Sequence, residues 1–389
     1  MAWLYPLTSS SAGINLSLSS NDDVFVSSGI TLSASGGAAI FGLGGGHSII
    51  VAGSLASDYL TLLLLGSAGV DSGNTVEVTA TGQVWSQGPA AIAIVSMATA
   101  VTNDGYVRAD FGNGVSLNGM GAGICHVTNA GKILAGQNAV NRDALSTERL
   151  DLNNTGYIKG VLAAYQTNNA LAVDRIQNTG TMVGEIRLGR GDDLYNGVYG
   201  HHLTGVIDGG DGADQIYDGA EGNSIAGGNG NDILRGYGGN DLLSGGTGID
   251  TLDGGTGNDV IQGGSEADLL IGRLGADDLY GGSGADRFIF SQLSDSTVSA
   301  TGRDDILDFS HLQGDRIDLS PLDARLDLAG NQAFGFIGAQ AFTGAAGQIR
   351  FQIASGQTYV YGDVNGDKIA DFAVHVAGAV SLVASDFIF

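Results

Sequence analysis

The stretch Gly227–Asp250 reads GGNGNDILRGYGGNDLLSGGTGID. Gly and Asp are dense enough in it to spoil an ordinary strand or helix. Yet Leu or Ile returns on a fixed beat. A ruler set at Gly209 and stepped by nine gives the blocks GGDGADQIY, DGAEGNSIA, GGNGNDILR, GYGGNDLLS, GGTGIDTLD, GGTGNDVIQ, GGSEADLLI, GRLGADDLY and GGSGADRFI, ending at Ile289. Their sixth position reads Asp214, Asn223, Asp232, Asp241, Asp250, Asp259, Asp268, Asp277 and Asp286. Their eighth reads Ile216, Ile225, Leu234, Leu243, Leu252, Ile261, Leu270, Leu279 and Phe288. One column is acidic and the other wholly apolar.

Glycines at positions one, two and four permit a turn with positive φ and exposed carbonyls. The last three residues of a block predict a short strand with its middle side chain turned inward. Two blocks make one coil. Asp232 and Asp250 are therefore predicted neighbours, as are Asp241 and Asp259. Stacked carboxylates repel unless a cation lies between them, and carboxylate and carbonyl oxygens favour Ca²⁺ over zinc or copper. The carbonyls of Gly228, Gly230, Gly245, Gly246, Gly248, Gly254, Gly255 and Gly257 are the expected backbone ligands. A disordered Gly/Asp linker would have no need of a repeating inward residue.

The blocks resemble the repeats-in-toxin (RTX) family, whose nonapeptides form a Ca²⁺-binding β-roll. Some positions depart from the pattern. Asn223 stands for Asp, Glu221 and Glu266 for the fourth Gly, and Tyr237 and Arg273 for the second. Sites touching those blocks are expected to be weak or empty. An outlying block, LGRGDDLYN from Leu188 to Asn196, carries Asp193 as a further ligand. Nine blocks imply roughly five to eight ions, each between stacked coils.

The first half repeats more slowly. VTNDGYV, VTNAGKI, LNNTGYI and IQNTGTM place Gly105, Gly131, Gly156 and Gly180 at spacings of 26, 25 and 24. Looser copies surround Gly29, Gly53, Gly82 and Gly205. Val101, Val127, Leu152 and Ile176 form one apolar column, and Val107, Ile133, Ile158 and Met182 another. A period near 25 predicts one coil of a wider parallel β-helix. Asn103, Asn129, Asn154 and Asn178 are expected to stack as an amide ladder at one corner. The pattern is similar to that of bacterial surface β-helices such as autotransporter passengers. The apolar runs YLTLLLLGSAGV and AIAIVSMATAV are too short for confident membrane spans and predict buried strands.

Residues 290–389 resemble the C-terminal domain of serralysin-type secreted proteases. The resemblance rests on DDILDF, DRIDLS, GDVNGD and the final ASDFIF. It implies a domain that caps the roll and carries an uncleaved type I secretion signal, so the implied partner is the type I secretion transporter. In DVNGDKIAD, Asp363, Asn365, Asp367 and Asp371 stand at offsets 1, 3, 5 and 9. That spacing fits either a hard-cation loop or an Asx-rich hairpin turn.

The chain has 389 residues, 66 of them Gly and only 3 Pro, with a net charge of −25. Such an acidic chain repels phosphate backbones and attracts cations, which argues against nucleic-acid binding. Cys125 is the only cysteine, so no intrachain disulfide forms, and a small buried hydrophobe is the expected role. The stretch MAWLYPLTSS lacks the basic and apolar regions of a cleaved signal peptide. No H-E-x-x-H or G-x-S-x-G motif occurs, nor an Asp-Pro-His-Glu epimerase signature. Arg108, Asp110, Lys132 and Lys159 form the best charged cluster, and a solvated face accounts for them; no catalytic residue is expected.

The expected fold is all-β: a parallel β-helix over 1–190 continuing into an RTX β-roll over 191–290, then a serralysin-like, sandwich-like β cap over 291–389. The expected function is that of a Ca²⁺-dependent structural surface protein of a Gram-negative bacterium. It would be exported, fold outside the cell and self-assemble as a surface layer, filament or matrix. The alternatives are a polysaccharide lyase or epimerase on the β-helix, or an adhesin for a cell-surface polysaccharide.

Overall fold

The computed structural model describes residues 3–4, 16–19, 21–65, 73–96, 98–118, 123–142, 148–167 and 172–389. Most of MAWLYPLTSS, the end of YLTLLLLGSAGV and Met97 lie outside the described residues. Apart from one 3₁₀ turn at Ala384–Asp386, every regular element described is a strand. The chain divides into two compact units, Met1–Gln215 and Ile216–Phe389.

The first unit is a parallel β-helix with three strand-bearing faces. Its first face stacks Asp23–Val26, Ser48–Val51, Thr75–Val78, Ala100–Asn103, Ile124–Asn129, Arg149–Asn154 and Asp174–Asn178, all parallel. On the second, Leu32, Leu55, Val84, Val107, Ile133, Ile158 and Met182 fall in register. On the third, Ile40, Leu62, Ile92, Val115, Val140, Tyr165, Ile186 and Ile207 do the same. All three columns are buried and form the core. The described parts of the two long apolar runs are strands, Leu60–Leu65, Ala90–Val95 and Ala100–Asn103.

The asparagine column is an amide ladder. Asn103 Nδ2 donates to Asn129 Oδ1, Asn129 to Asn154 and Asn154 to Asn178, each at 2.7 Å. The four are fully buried, so every unmet amide would be costly. Beside them, a Cβ on Gly131, Gly156 or Gly180 would lie 2.2–2.3 Å from the carbonyl oxygen of the glycine one coil earlier. Close backbone approach, not positive φ, demands glycine here. The column continues at Gly200, whose neighbour His201 pairs with Thr181, and not at Gly205 as the spacing implied. The coil has shortened to about twenty residues there, so a ruler set at 25 overshoots. His201 and His202 form a strand, and His202 is buried.

The second unit is built from 18-residue coils, two blocks each. Leu234 pairs with Leu252 and Leu252 with Leu270 on one sheet; Leu243 pairs with Ile261 and Ile261 with Leu279 on the other. Every eighth-position side chain from Ile216 to Phe288 is buried. The strands are twice the predicted length. Ile233–Gly238 and its counterparts run through positions seven to nine and on into the next block's first three residues. The glycines there still make ladder pairs, such as Gly228 with Gly246.

After Ile289 both sheets are extended. Asp305–Ile306 pairs with Asp278–Leu279, and Arg316–Asp318 pairs with Arg287–Ile289. An antiparallel meander follows, Gln348–Ala354, Gln357–Asp363 and Phe372–Val376, and its last strand joins Asp305–Ile306. The terminal Phe387–Ile388 docks in parallel beside Ile317–Asp318.

Candidate metal centre

The acidic column is assembled by the coil geometry. Asp232 N–H donates to Asp250 Oδ1, Asp250 N–H to Asp268 and Asp268 N–H to Asp286, at 2.8–2.9 Å. The other edge runs from Asn223 N–H to Asp241, Asp259 and Asp277, at 2.7–2.8 Å. Each carboxylate thus uses Oδ1 to hold the coil before it. In Asp241, Asp250, Asp259, Asp268, Asp277 and Asp286, the buried Oδ2 has no hydrogen-bond partner among the described residues. That oxygen sits over the first glycine of its own block. A Cβ on Gly236, Gly245 or Gly254 would lie 2.2 Å from the Oδ2 of Asp241, Asp250 or Asp259.

Burial disfavours charge on these groups. It pushes Asp241, Asp268 and Asp277 up to about 7 and Asp259 and Asp286 up to about 6. The amide bonds to Oδ1 pull the other way, and neighbouring carboxylates in the columns add to the rise. A buried, amide-oriented carboxylate with one spare oxygen fits a hard cation better than any group the protein supplies. The residues present therefore fit Ca²⁺. Among the described residues no three His, Cys, Asp or Glu side chains gather at one point. The column geometry accounts for this: each coil contributes one sixth-position carboxylate per edge, so the further oxygens for a cation would come from the carbonyls of the glycine turns.

Those turns have the expected conformation at positions two and four. Gly228, Gly230, Gly246, Gly248, Gly255 and Gly257 have φ of +110 to +129°. Gly245 and Gly254, at position one, do not adopt positive φ and serve by leaving room for the carboxylate. Three of the four glycine departures keep the backbone, Tyr237, Glu266 and Arg273 having φ of +66, +76 and +76°, whereas Glu221 does not adopt positive φ. Glu266 Oε2 also accepts the Gly248 N–H at 2.8 Å, tying two coils together.

Four column residues escaped the sequence reading. Asp277 N–H donates to Asp304 Oδ1 and Asp286 N–H to Asp315 Oδ1, both at 3.1 Å. Asp304 is pushed up to about 9 by burial and then by Asp277. In the first unit Asp174 N–H donates to Asp193 Oδ1 at 2.6 Å, and Asp193 N–H to Asp214 Oδ1 at 2.8 Å. Asp174 is itself ion-paired with buried Arg142 and accepts from the Tyr165 hydroxyl. Asp218, at position one, is buried beside Asn223 and Asp241 and is pushed up to about 7. It places a carboxylate beside the position where its block carries Asn223 in place of Asp. Three of the four, Asp218 excepted, share a signal, the triplet Asp-x-apolar, seen in DRI at 174, DDI at 304 and DRI at 315.

The DVNGDKIAD loop is the tip of the hairpin between Gln357–Asp363 and Phe372–Val376. Asp363 accepts the Gly366 and Lys368 N–H groups, and Asp371 accepts the Val364 N–H and the Asn365 amide. Asn365 and Asp367 accept the amides two residues on. The loop's side-chain oxygens are thus turned to its own backbone and, at Asp371 Oδ1, to the Asn365 side chain, the geometry of the Asx-rich turn. Cys125 is buried, donates to Glu148 Oε2 at 2.9 Å, and is pushed up to about 12 by burial first and Glu148 second. It is an inert core thiol.

Residues 207–389 match the family model described as Peptidase M10 serralysin C terminal. This part of the chain is similar to the serralysin C-terminal domain, and a β-roll of this type typically binds Ca²⁺. The solved structures that align include two R subunits of a mannuronan C5-epimerase from Azotobacter vinelandii. The AlgE6R3 subunit is 28% identical over 43% of this chain and 77% of its own, with a TM-score of 0.26. The AlgE6R2 subunit is 27% identical over 44% and 94%, with a TM-score of 0.23. No curated protein matches the chain. Among the described residues no helix is long and apolar enough to cross a membrane.

Proposed function

We propose that the chain is an exported, non-enzymatic surface protein whose roll folds on Ca²⁺ outside a Gram-negative cell and whose β-helix then self-associates. The observation that carries this reading is the row of buried Oδ2 atoms without hydrogen-bond partners, from Asp241 to Asp286, aligned coil on coil. Those carboxylates, with the turn carbonyls of Gly228, Gly230, Gly246, Gly248, Gly255 and Gly257, would hold the ions. Bound Ca²⁺ would supply the positive charge that the columns lack. Where Ca²⁺ is scarce the columns repel and the chain stays open for a type I transporter; at millimolar Ca²⁺ the same residues close it. Titrating the purified protein with Ca²⁺ while following far-ultraviolet circular dichroism tests this. A cooperative gain of strand signal, reversed by chelator, is expected; a signal indifferent to Ca²⁺ refutes the reading.

Self-association is supported by an apolar corner of the first unit. Phe111, Val161 and Leu162 are 74%, 68% and 57% exposed on nearby coils, an arrangement that favours burial against another surface. Electron microscopy of the wild type and of a Phe111→Ser/Leu162→Ser variant in Ca²⁺ checks it. Ordered oligomers should form with the first and not the second. Monomers throughout would reject assembly.

One observation favours an adhesin as the second reading. Residues 101–190 hold eight basic and seven acidic side chains in a chain of net charge −25. Gln83, Tyr106, Lys132 and Tyr157 stand in register along a groove of about 700 Å³ on the second face. Arg108, Asp110 and Lys159 line a second depression of about 340 Å³. Arg108 is bound by Asp110 at 2.6 Å, and Asp110 also accepts from Trp85. Rings and amines spaced by one coil suit an anionic polysaccharide laid along the face. Loss of polysaccharide binding in Lys132→Ala/Lys159→Ala, with assembly intact, would favour this reading.

A further inference from the structure

We propose that the second unit carries a ligand pocket, created where two blocks depart from glycine, that takes a six-membered ring bearing a carboxylate. The pocket is a cavity of about 420 Å³, within the range of small-molecule sites. Its principal lining is Arg235, Tyr237, Asp253, Thr256, Arg273 and Leu274. Register explains why it exists. Tyr237, Gly255 and Arg273 occupy the same position of three successive coils. The repeat prescribes glycine at all three, and the two substituted residues keep the left-handed backbone, φ +66° and +76°. Side chains disfavour that conformation, and strain of this kind collects at binding sites. Here it raises two walls with the bare backbone of Gly255 between them.

The walls differ in chemistry. Tyr237 and Leu274 are exposed apolar surfaces that can cover the face of a ring. Both lining carboxylates are already engaged. Asp253 takes the fork of Arg273, Nε to Oδ1 and a terminal nitrogen to Oδ2, each at 3.0 Å. Asp295 Oδ2 accepts the Ser291 and Gln292 N–H groups at 2.7 and 2.9 Å. Arg273 is braced further by Ser291 Oγ at 3.2 Å. Arg235 is held over the Tyr217 ring, 5.5 Å from its centroid, which leaves its planar edge for a carboxylate. Thr256, Gln292 and Ser294 supply hydroxyl and amide partners around the rim. A sugar acid and an aryl acid share the chemistry this pocket reads.

The test uses the full chain at constant Ca²⁺. Glucuronate and 4-hydroxybenzoate are compared with their uncharged counterparts, glucose and phenol, by saturation-transfer NMR and titration. At least one acid should bind about tenfold more tightly than its counterpart, and which acid does so names the source. Arg235→Gln should erase that preference. Tyr237→Gly restores the repeat, so it should abolish binding while the thermal midpoint holds or rises. Acids that bind no better than their neutral counterparts overturn the proposal. So does a Tyr237→Gly variant that binds as the wild type does.

Discussion

Asp259 has two oxygens in different circumstances. Oδ1 holds the Asp241 amide, and Oδ2 is buried without a hydrogen-bond partner. Asp259→Asn keeps the acceptor and replaces the spare oxygen by a neutral amide. It is expected to ease folding of the metal-free roll and to raise the Ca²⁺ midpoint several-fold, read by the same titration. Gly254→Ala should act oppositely on the metal-free form. Its Cβ would lie 2.2 Å from Asp259 Oδ2, a clash worth about 1–3 kcal/mol, visible in the denaturant midpoint. The repeat made the Asp259 column legible from sequence. Asp218 was not, because a carboxylate at position one has meaning only once the fold places it beside Asn223 and Asp241.

The columns titrate as elements. Burial raises Asp241, Asp268 and Asp277 to about 7, against about 3.9 in an unfolded chain. The metal-free roll therefore takes up protons as it folds. That stabilisation is complete below about pH 4 and is lost as pH rises through 6 to 7. In chelator, the denaturant midpoint of the roll should fall between pH 5 and 8. In Ca²⁺ the trend should reverse at the acid end, where protons compete with the ion. The amide ladder makes the matching case in the first unit. Asn129→Ala breaks two 2.7 Å bonds inside the core and should cost about 1–3 kcal/mol in chemical unfolding. That ladder was readable because one residue type recurred at one offset. Asp304 and Asp315 were missed because 27 and 29 residues separate them from their partners, not 18. The inserted loops hide the beat without breaking the stack.

At the scale of the molecule, each unit draws on a different source of order. Hydrophobic columns run through both; the amide ladder braces the first, and the greater part of the carboxylate columns, from Asp232 to Asp315, runs through the second. Limited proteolysis in chelator should cut within Ile216–Phe389 well before Met1–Gln215, and Ca²⁺ should abolish the difference. Equal cleavage of both units would contradict that division.

The direction of the Oδ1 bonds has one more consequence. From Asn223 to Asp286 each sixth-position amide is satisfied by a side chain that comes later in the chain, 18 residues on within the blocks and 27 or 29 at the last coil. Asp304 and Asp315 are where the demand passes out of the repeats. A chain delivered amino end first always carries a debt at its leading coil until those two residues arrive. A chain delivered carboxyl end first meets each amide with a carboxylate already in place. The stack is therefore a clock as well as a scaffold, and which end of the chain appears first decides whether folding waits or zips.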